Sequence, residues 1–268
     1  ALTLNGQGQA EIRGSQIWTG WAASGARWVS NNTVPSLPTF QDGGRCLSGT
    51  DNRCLKAEQV FLNGQPLTQV SANPVVGQFA LDGSRHVILA DDPASRTVEV
   101  TTRNRWINFN ADGVTIQGFI MKHSGNEAQQ GGMTIRSHSS IIIRNNVLSD
   151  AHGAVVSMGD GLGSPGTDCQ LLNNDIFRGG ELGVHGGGLR NQIIGNKIHN
   201  NNTEKFAYGW EAGGFKAAYD RDGIWDGNES YDNDGPGLWC DINCTNLTVR
   251  NNRVYRNKAG IFSEISTG

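Results

Sequence analysis

An asparagine recurs through the second half of this chain at the head of short apolar-polar segments, and its spacing constrains the fold more than any other feature. The segments are Asn146-Val147-Leu148-Ser149-Asp150, Asn174-Asp175-Ile176-Phe177-Arg178, Asn196-Lys197-Ile198-His199-Asn200, Asn228-Glu229-Ser230-Tyr231-Asp232 and Asn252-Arg253-Val254-Tyr255-Arg256. Gly118, in Ile116-Gln117-Gly118-Phe119-Ile120, heads the series, and the steps are 28, 28, 22, 32 and 24 residues. Such uneven steps do not suit an array of helical repeats; they suit a coil whose outer loops vary in length. Each rung also has an alternating strand before its asparagine, as in Ser140-Ile141-Ile142-Ile143-Arg144 and Asn246-Leu247-Thr248-Val249-Arg250. Strand, asparagine corner, strand, glycine turn, strand describes an all-β fold, the right-handed parallel β-helix. The asparagines are expected to stack as a buried ladder, each amide bonding the next rung and the local turn backbone.

Composition agrees. Glycine accounts for 37 of 268 residues and hydrophobic residues for only 37%, so the core must come from short strands between many turns. A net charge of −3, with no lysine or arginine cluster, leaves no electrostatic footprint for nucleic acid. No run of 18 apolar residues and no basic amphipathic helix points to a membrane. The chain starts at Ala1 without an initiator methionine and stops at Gly268 soon after the last repeat. Because β-helices normally cover their open strand edges, a trimmed piece of a longer protein is expected. A signal peptide lost with the start is compatible with a secreted or periplasmic location.

The N-terminal third breaks the rhythm. Ala10-Glu11-Ile12-Arg13 and Thr97-Val98-Glu99-Val100 read as successive rungs, yet the span between them is about three times the usual step. It holds alternating segments such as Gln59-Val60-Phe61-Leu62 and His86-Val87-Ile88-Leu89, with Asn63-Gly64 and Asp82-Gly83 turn signals. The expected organisation is a first β-helix turn at 1–15, an inserted β-rich module at 16–96, and a β-helix carrying the functional site at 97–268. Trp18, Trp21 and Trp28 of the insert are expected in its core, with sugar stacking as the alternative.

Five cysteines leave the disulfides open: Cys46 and Cys54 bracket a small polar loop, Cys240 and Cys244 flank Asp241, and Cys169 reads as a buried free thiol in a strand. No Cys or His set has the spacing of a zinc site. Asp220, Asp222 and Asp226 near Trp225 do not match a calcium loop and are expected to be solvated. His123, His152 and His199 are expected at turns or on the surface. No metal or cofactor is called for.

The chemistry concentrates near the end. Gly237-Leu238-Trp239-Cys240-Asp241 and Gly260-Ile261-Phe262-Ser263-Glu264 share the order glycine, aliphatic, aromatic, small, carboxylate, at an interval of 23 residues. Equivalent positions on neighbouring rungs lie about 4.8 Å apart. Two carboxyls at roughly 5 Å are what a retaining glycosidase needs. Lys216, 25 residues before Asp241, is expected in the same column, its ammonium beside the first carboxylate. Asp241 then attacks the anomeric carbon while Glu264 protonates the leaving oxygen and later activates water. Trp239 and Phe262, two residues before each acid, point to the same side and offer a floor for the sugar. His185, one rung before Lys216, is a candidate for binding a sugar hydroxyl. An exposed salt-bridge column is the bland alternative.

Together with Glu11-Ile12-Arg13-Gly14-Ser15, Gly20-Trp21 and Val60-Phe61-Leu62-Asn63-Gly64, these motifs resemble bacterial β-helix carbohydrate-active enzymes, nearest to glycoside hydrolase family 120, the β-xylosidase family. The resemblance implies that Asp241 is the nucleophile and Glu264 the acid/base. It also implies that Glu211 and Lys216, in Glu211-Ala212-Gly213-Gly214-Phe215-Lys216, line the sugar pocket. The implied partner is a xylan-derived oligosaccharide or a polysaccharide. Polysaccharide lyases and uronate epimerases share the architecture and would use Lys216 as base, but two stacked acids without an arginine cluster repel a polyuronate. A non-catalytic carbohydrate-binding β-helix is the third possibility.

Overall fold

The computed structural model describes residues 1–159 and 163–266. Its strands stack into a parallel β-helix with three strands to a coil. One face is a seven-stranded sheet of Ile107–Asn108, Gly131–Thr134, Ala154–Ser157, Leu182–His185, Gly213–Ala217, Pro236–Cys240 and Ala259–Ser263. The other two faces meet in one long strand, Val114–Ser124, whose first half pairs with Ile142–Arg144 and whose second half pairs with Val147–Ala151. Beyond that strand the faces separate at the asparagine corner.

Most strands on these two faces are three residues long, so a single central side chain points inward. Ile116, Ile143, Leu171, Ile193 and Trp225 form one such buried file, and Met121, Leu148, Ile176 and Ile198 another. The seven-stranded sheet adds Met133, Val156, Val184, Phe215 and Leu238. One inward residue per strand is how a chain of modest apolar content fills a continuous core.

The asparagine ladder forms as expected. The Nδ2 of Asn146, Asn174 and Asn196 each donates to the Oδ1 of the next asparagine at 3.0 Å, and Asn228 donates to Asn252 at 2.9 Å. The backbone N–H of each donates to that same oxygen, while Nδ2 also reaches a buried carbonyl about one rung earlier in the chain, such as Leu171 O for Asn196. The first rung differs by one residue from the sequence alignment. Phe119, not Gly118, occupies the ladder position, since its N–H donates to Asn146 Oδ1. Gly118 (φ +68°) sits where Asn145, Asn173, Gly195, Gly227 and Asn251 also adopt left-handed backbone, a conformation that glycine and asparagine accept at least cost.

A second ladder, five residues further along each rung, went unread in the sequence. Gly179 N–H donates to Asn201 Oδ1, and Asn201 and Asn233 donate in turn to Asn233 and Asn257. Its signal was the asparagine pair at an interval of five in 196/201, 228/233 and 252/257.

The first coil is Leu2–Arg13, parallel to Val114–Lys122. The chain then leaves the helix. Ser15–Ile17 pairs antiparallel with Val98–Thr101, which pairs antiparallel with Val60–Leu62, and a separate five-stranded sheet completes the excursion. Thr97-Val98-Glu99-Val100 is therefore no β-helix rung: Ala10–Arg13 already has Phe119–Lys122 as its partner, and helix strands resume at Ile107. Trp18 is buried in the insert core, with Trp21 and Trp28 packed against it, so core packing rather than a sugar platform accounts for all three.

Several polar residues are deeper than their sequence surroundings suggest. His123 and His152 are each 2% exposed. His123 stacks on Phe61 at 3.6 Å and meets Ser15 Oγ at 2.8 Å, pinning insert to helix, and burial lowers its pKa to about 4. His199 is sandwiched between Phe177 and Tyr231. Cys46–Cys54 and Cys240–Cys244 are bonded, while Cys169 is a buried free thiol lying between strands, its pKa raised by burial.

Asp220 is likewise no solvated loop residue. It is 2% exposed and accepts the Trp225 indole N–H at 3.0 Å, and burial raises its pKa from 3.8 to about 7. The unfolded chain binds fewer protons than the folded one between these values, so this group's contribution to stability falls as pH rises from about 4 to 7 and is level above. Asp220→Asn, whose amide oxygen still accepts from Trp225, is expected to be more stable than wild type at pH 7 by on the order of a few kcal/mol, with the difference closing toward pH 4. Urea unfolding at both pH values reads the effect; a gap independent of pH would contradict it.

Candidate active site

The site lies on the outer face of the seven-stranded sheet. Alternation along Gly213–Ala217 and Pro236–Cys240 turns Phe215 and Leu238 into the core and sends Lys216 and Trp239 outward. Ser157, His185, Lys216, Trp239 and Phe262 consequently form one file, each in register with the next. Lys216 is thus level with Trp239 and not with Asp241, because the 23-residue step that relates Trp239 to Phe262 also relates Lys216 to Trp239. Asp241 lies two residues further along the strand, on the same side. Its N–H donates to Ala217 O and that of Glu264 to Cys240 O, both at 2.8 Å, so Asp241 and Glu264 follow one another on adjacent rungs.

The lysine nevertheless reaches the aspartate. Lys216 Nζ is 2.9 Å from Asp241 Oδ2, 2.9 Å from Glu211 Oε2 and 2.5 Å from Trp210 O, which uses all three ammonium protons. It also lies 4.0 Å from the centre of the Trp239 ring. Lys216, Glu211 and Asp241 are 5%, 5% and 8% exposed, which rules out a solvated surface salt-bridge column. Trp239, at 1%, carries the ammonium instead of offering a free face, and its tilted neighbour Phe262, at 37%, is the exposed ring of the pair. Ion pairing at this depth is structurally demanding: removing one partner typically costs about 3–5 kcal/mol because the other charge stays buried.

Glu211 is the hub. Besides Lys216 it meets His185 Nε2 at 3.3 Å through Oε1, and it accepts from Gln129 Nε2 at 3.2 Å through Oε2. His185 Nδ1 is 3.2 Å from Ser157 Oγ. Glu211 arrives on a long outer loop that the insert grips. Cys46 bridges to Phe206, Arg45 sits over the Trp210 ring, and Phe40 stacks on that ring at 4.9 Å. The part of the insert that leads into the Cys46–Cys54 disulfide therefore supports Trp210, whose carbonyl holds Lys216, and the loop that carries Glu211.

Two members of the network carried no sequence signal. Gln129 stands in a left-handed conformation (φ +61°), and Glu181 is completely buried behind Glu211. Burial, followed by the charge of Glu211, raises the Glu181 pKa well above the carboxylate range, against the opposing Gln129 N–H and Lys216 charge. Among the described residues, no three His, Cys, Asp or Glu side chains converge as a metal site would need.

Residues 131–268 match the family described as the right handed beta helix region, half of the chain. The chain belongs to the right-handed β-helix family. No curated protein matches its sequence at a significant level. Among solved structures, that of XylC in complex with xylose superimposes with a TM-score of 0.77 at 20% identity, covering 98% of this chain and 54% of that one. The chain thus spans about half the length of XylC. A second structure, described as a glycoside hydrolase, gives a TM-score of 0.42 at 11% identity over 96% of this chain and 82% of its own.

Proposed function

We propose that this protein is a retaining glycoside hydrolase acting on β-xylosides, with xylan-derived oligosaccharides as the substrate class. The observation that carries the proposal is the Lys216–Asp241 ion pair with Glu264 on the next rung. Lys216 engages Oδ2 and so orients the Asp241 carboxylate, leaving Oδ1 to attack the anomeric carbon. In the first step the Oδ1–carbon bond forms as the glycosidic bond breaks, and the Glu264 carboxyl gives its proton to the departing oxygen. In the second, Glu264 takes a proton from water, whose oxygen displaces Asp241 and restores the original configuration. Glu211 and His185 stand where they can receive sugar hydroxyls. The likeness to a structure that holds xylose supports a pentose as the bound sugar.

A lyase or epimerase needs a free base beside the sugar ring. Lys216 is a poor one, since its three N–H groups are committed to Trp210, Glu211 and Asp241. Incubation with nitrophenyl β-xyloside and, separately, with a polyuronate distinguishes the chemistries. Nitrophenol release with no unsaturated product is expected. Unsaturated uronate absorbance would establish elimination, uptake of solvent deuterium by the polyuronate without unsaturation would establish epimerisation, and sugar binding with none of these would establish a binding protein.

A further inference from the structure

We propose that Glu181 is a positioning residue of this site: it holds Gln129 in the backbone conformation from which the Gln129 amide reaches Glu211. The inference rests on the hydrolase reading only for its kinetic consequences. Glu181 Oε2 accepts the Gln129 N–H at 2.6 Å, and the Gln129 side chain donates to Glu211 Oε2 at 3.2 Å, the oxygen that also binds Lys216. Left-handed backbone at a residue such as glutamine, which lacks the ease of glycine or asparagine there, carries a cost that its surroundings must offset. The buried acceptor at Glu181 supplies that offset, and a chain of contacts then runs from Glu181 through Gln129, Glu211 and Lys216 to Asp241.

Charge explains why a carboxyl can serve there. Glu181 faces the Glu211 carboxylate, with the Lys216 ammonium and the His185 imidazole on the far side of Glu211 and Asp241 beyond Lys216. With Glu211 and Asp241 already sharing the one lysine, a third ionised acid would add a further uncompensated buried charge. As a neutral acid, Glu181 still accepts from Gln129 and leaves the lysine to Glu211 and Asp241. Its other oxygen, Oε1, is buried without a partner.

Three variants and two readouts test this. Isotope-edited infrared spectra of the resting protein at neutral pH should show a protonated-carboxyl stretch that Glu181→Gln removes; its absence from wild type would overturn the proposal whether or not the protein hydrolyses anything. Kinetically, Glu181→Gln keeps the acceptor and the neutrality, so its KM for nitrophenyl xyloside should match wild type at neutral pH. Gln129→Ala, which leaves the Glu181 contact to the backbone intact, should raise KM about tenfold with a much smaller fall in kcat. Glu181→Leu should do the same. An unchanged KM in Gln129→Ala or in Glu181→Leu would overturn the proposal. A wild type that hydrolyses no glycoside would overturn the hydrolase reading instead, and the infrared result would still decide the placement of Glu181's proton.

Discussion

Asp241→Asn is expected to lower hydrolysis of β-xylosides by at least about four orders of magnitude, because it removes the nucleophile of both half-reactions. The amide keeps an oxygen for Lys216, so the fold is expected to survive and the loss to be catalytic. Asp241→Ala should lose as much activity and some stability besides, since Lys216 then has only Glu211 and a carbonyl. Glu264→Ala should behave differently. On substrates with poor leaving groups it should cost about 10²–10⁴-fold, the usual worth of general acid catalysis. Dinitrophenyl xyloside needs no protonation, so its first step should remain fast and the second become limiting. Azide, which attacks without a base, should then restore turnover and yield a xylosyl azide of retained configuration. Steady-state rates on the two leaving groups, with and without azide, read all of this. Equal losses on both substrates without azide rescue would remove Glu264 from the role.

Asn196→Ala is expected to destabilise the protein by roughly 3–5 kcal/mol, among the largest effects of any polar substitution here. Asn196 is fully buried, and its amide accepts from Asn174 while donating to Asn228 and Leu171 O. Truncation leaves those groups unpaired with no path to water, and an unmade buried hydrogen bond costs more than a made one contributes. Asn252 is only half-buried, and among the described residues its amide accepts from Asn228 and donates to Trp225 O without passing a bond to a further asparagine. Asn252→Ala should therefore cost clearly less. Urea midpoints of the two variants test the gradient, and equal losses would mean that the ladder does not act rung by rung.

The helix was legible because its two requirements, a hydrogen-bonding side chain at each corner and one inward apolar residue per short strand, both leave marks on local sequence. Asn146 through Asn252 are those marks. The second ladder left the same kind of mark at Asn201, Asn233 and Asn257, but its glycine and alanine counterparts on earlier rungs, Gly179 and Ala151, hide the series. Register was harder. The interval from Lys216 to Asp241 differs by only two residues from the true step, and two residues preserve the side of the strand while shifting the column. Lys216 bridges that shift with its long side chain, so the contact exists although the column does not.

What local sequence could not carry was depth. Asp220, His123 and His152 sit among polar and glycine-rich neighbours, and only the packing of loop on helix buries them. Gln129 and Glu181 were invisible for the same reason: Gln129 and Glu211 are 82 residues apart, and they meet because the outer loops close over one groove. The end of the insert was expected at 96, ahead of the antiparallel strand Val98–Thr101, because such a strand and a β-helix rung share the same alternation.

The central claim is a covalent bond between Asp241 and the sugar. Incubating the protein with dinitrophenyl 2-deoxy-2-fluoro-β-xyloside, which forms the glycosyl-enzyme but slows its hydrolysis, and sequencing the labelled peptide by mass spectrometry tests it directly. One fluoroxylosyl group on Asp241, absent from Asp241→Asn, is the predicted result; a label on Glu264 or any other residue, or release of dinitrophenol with no label at all, would contradict the account.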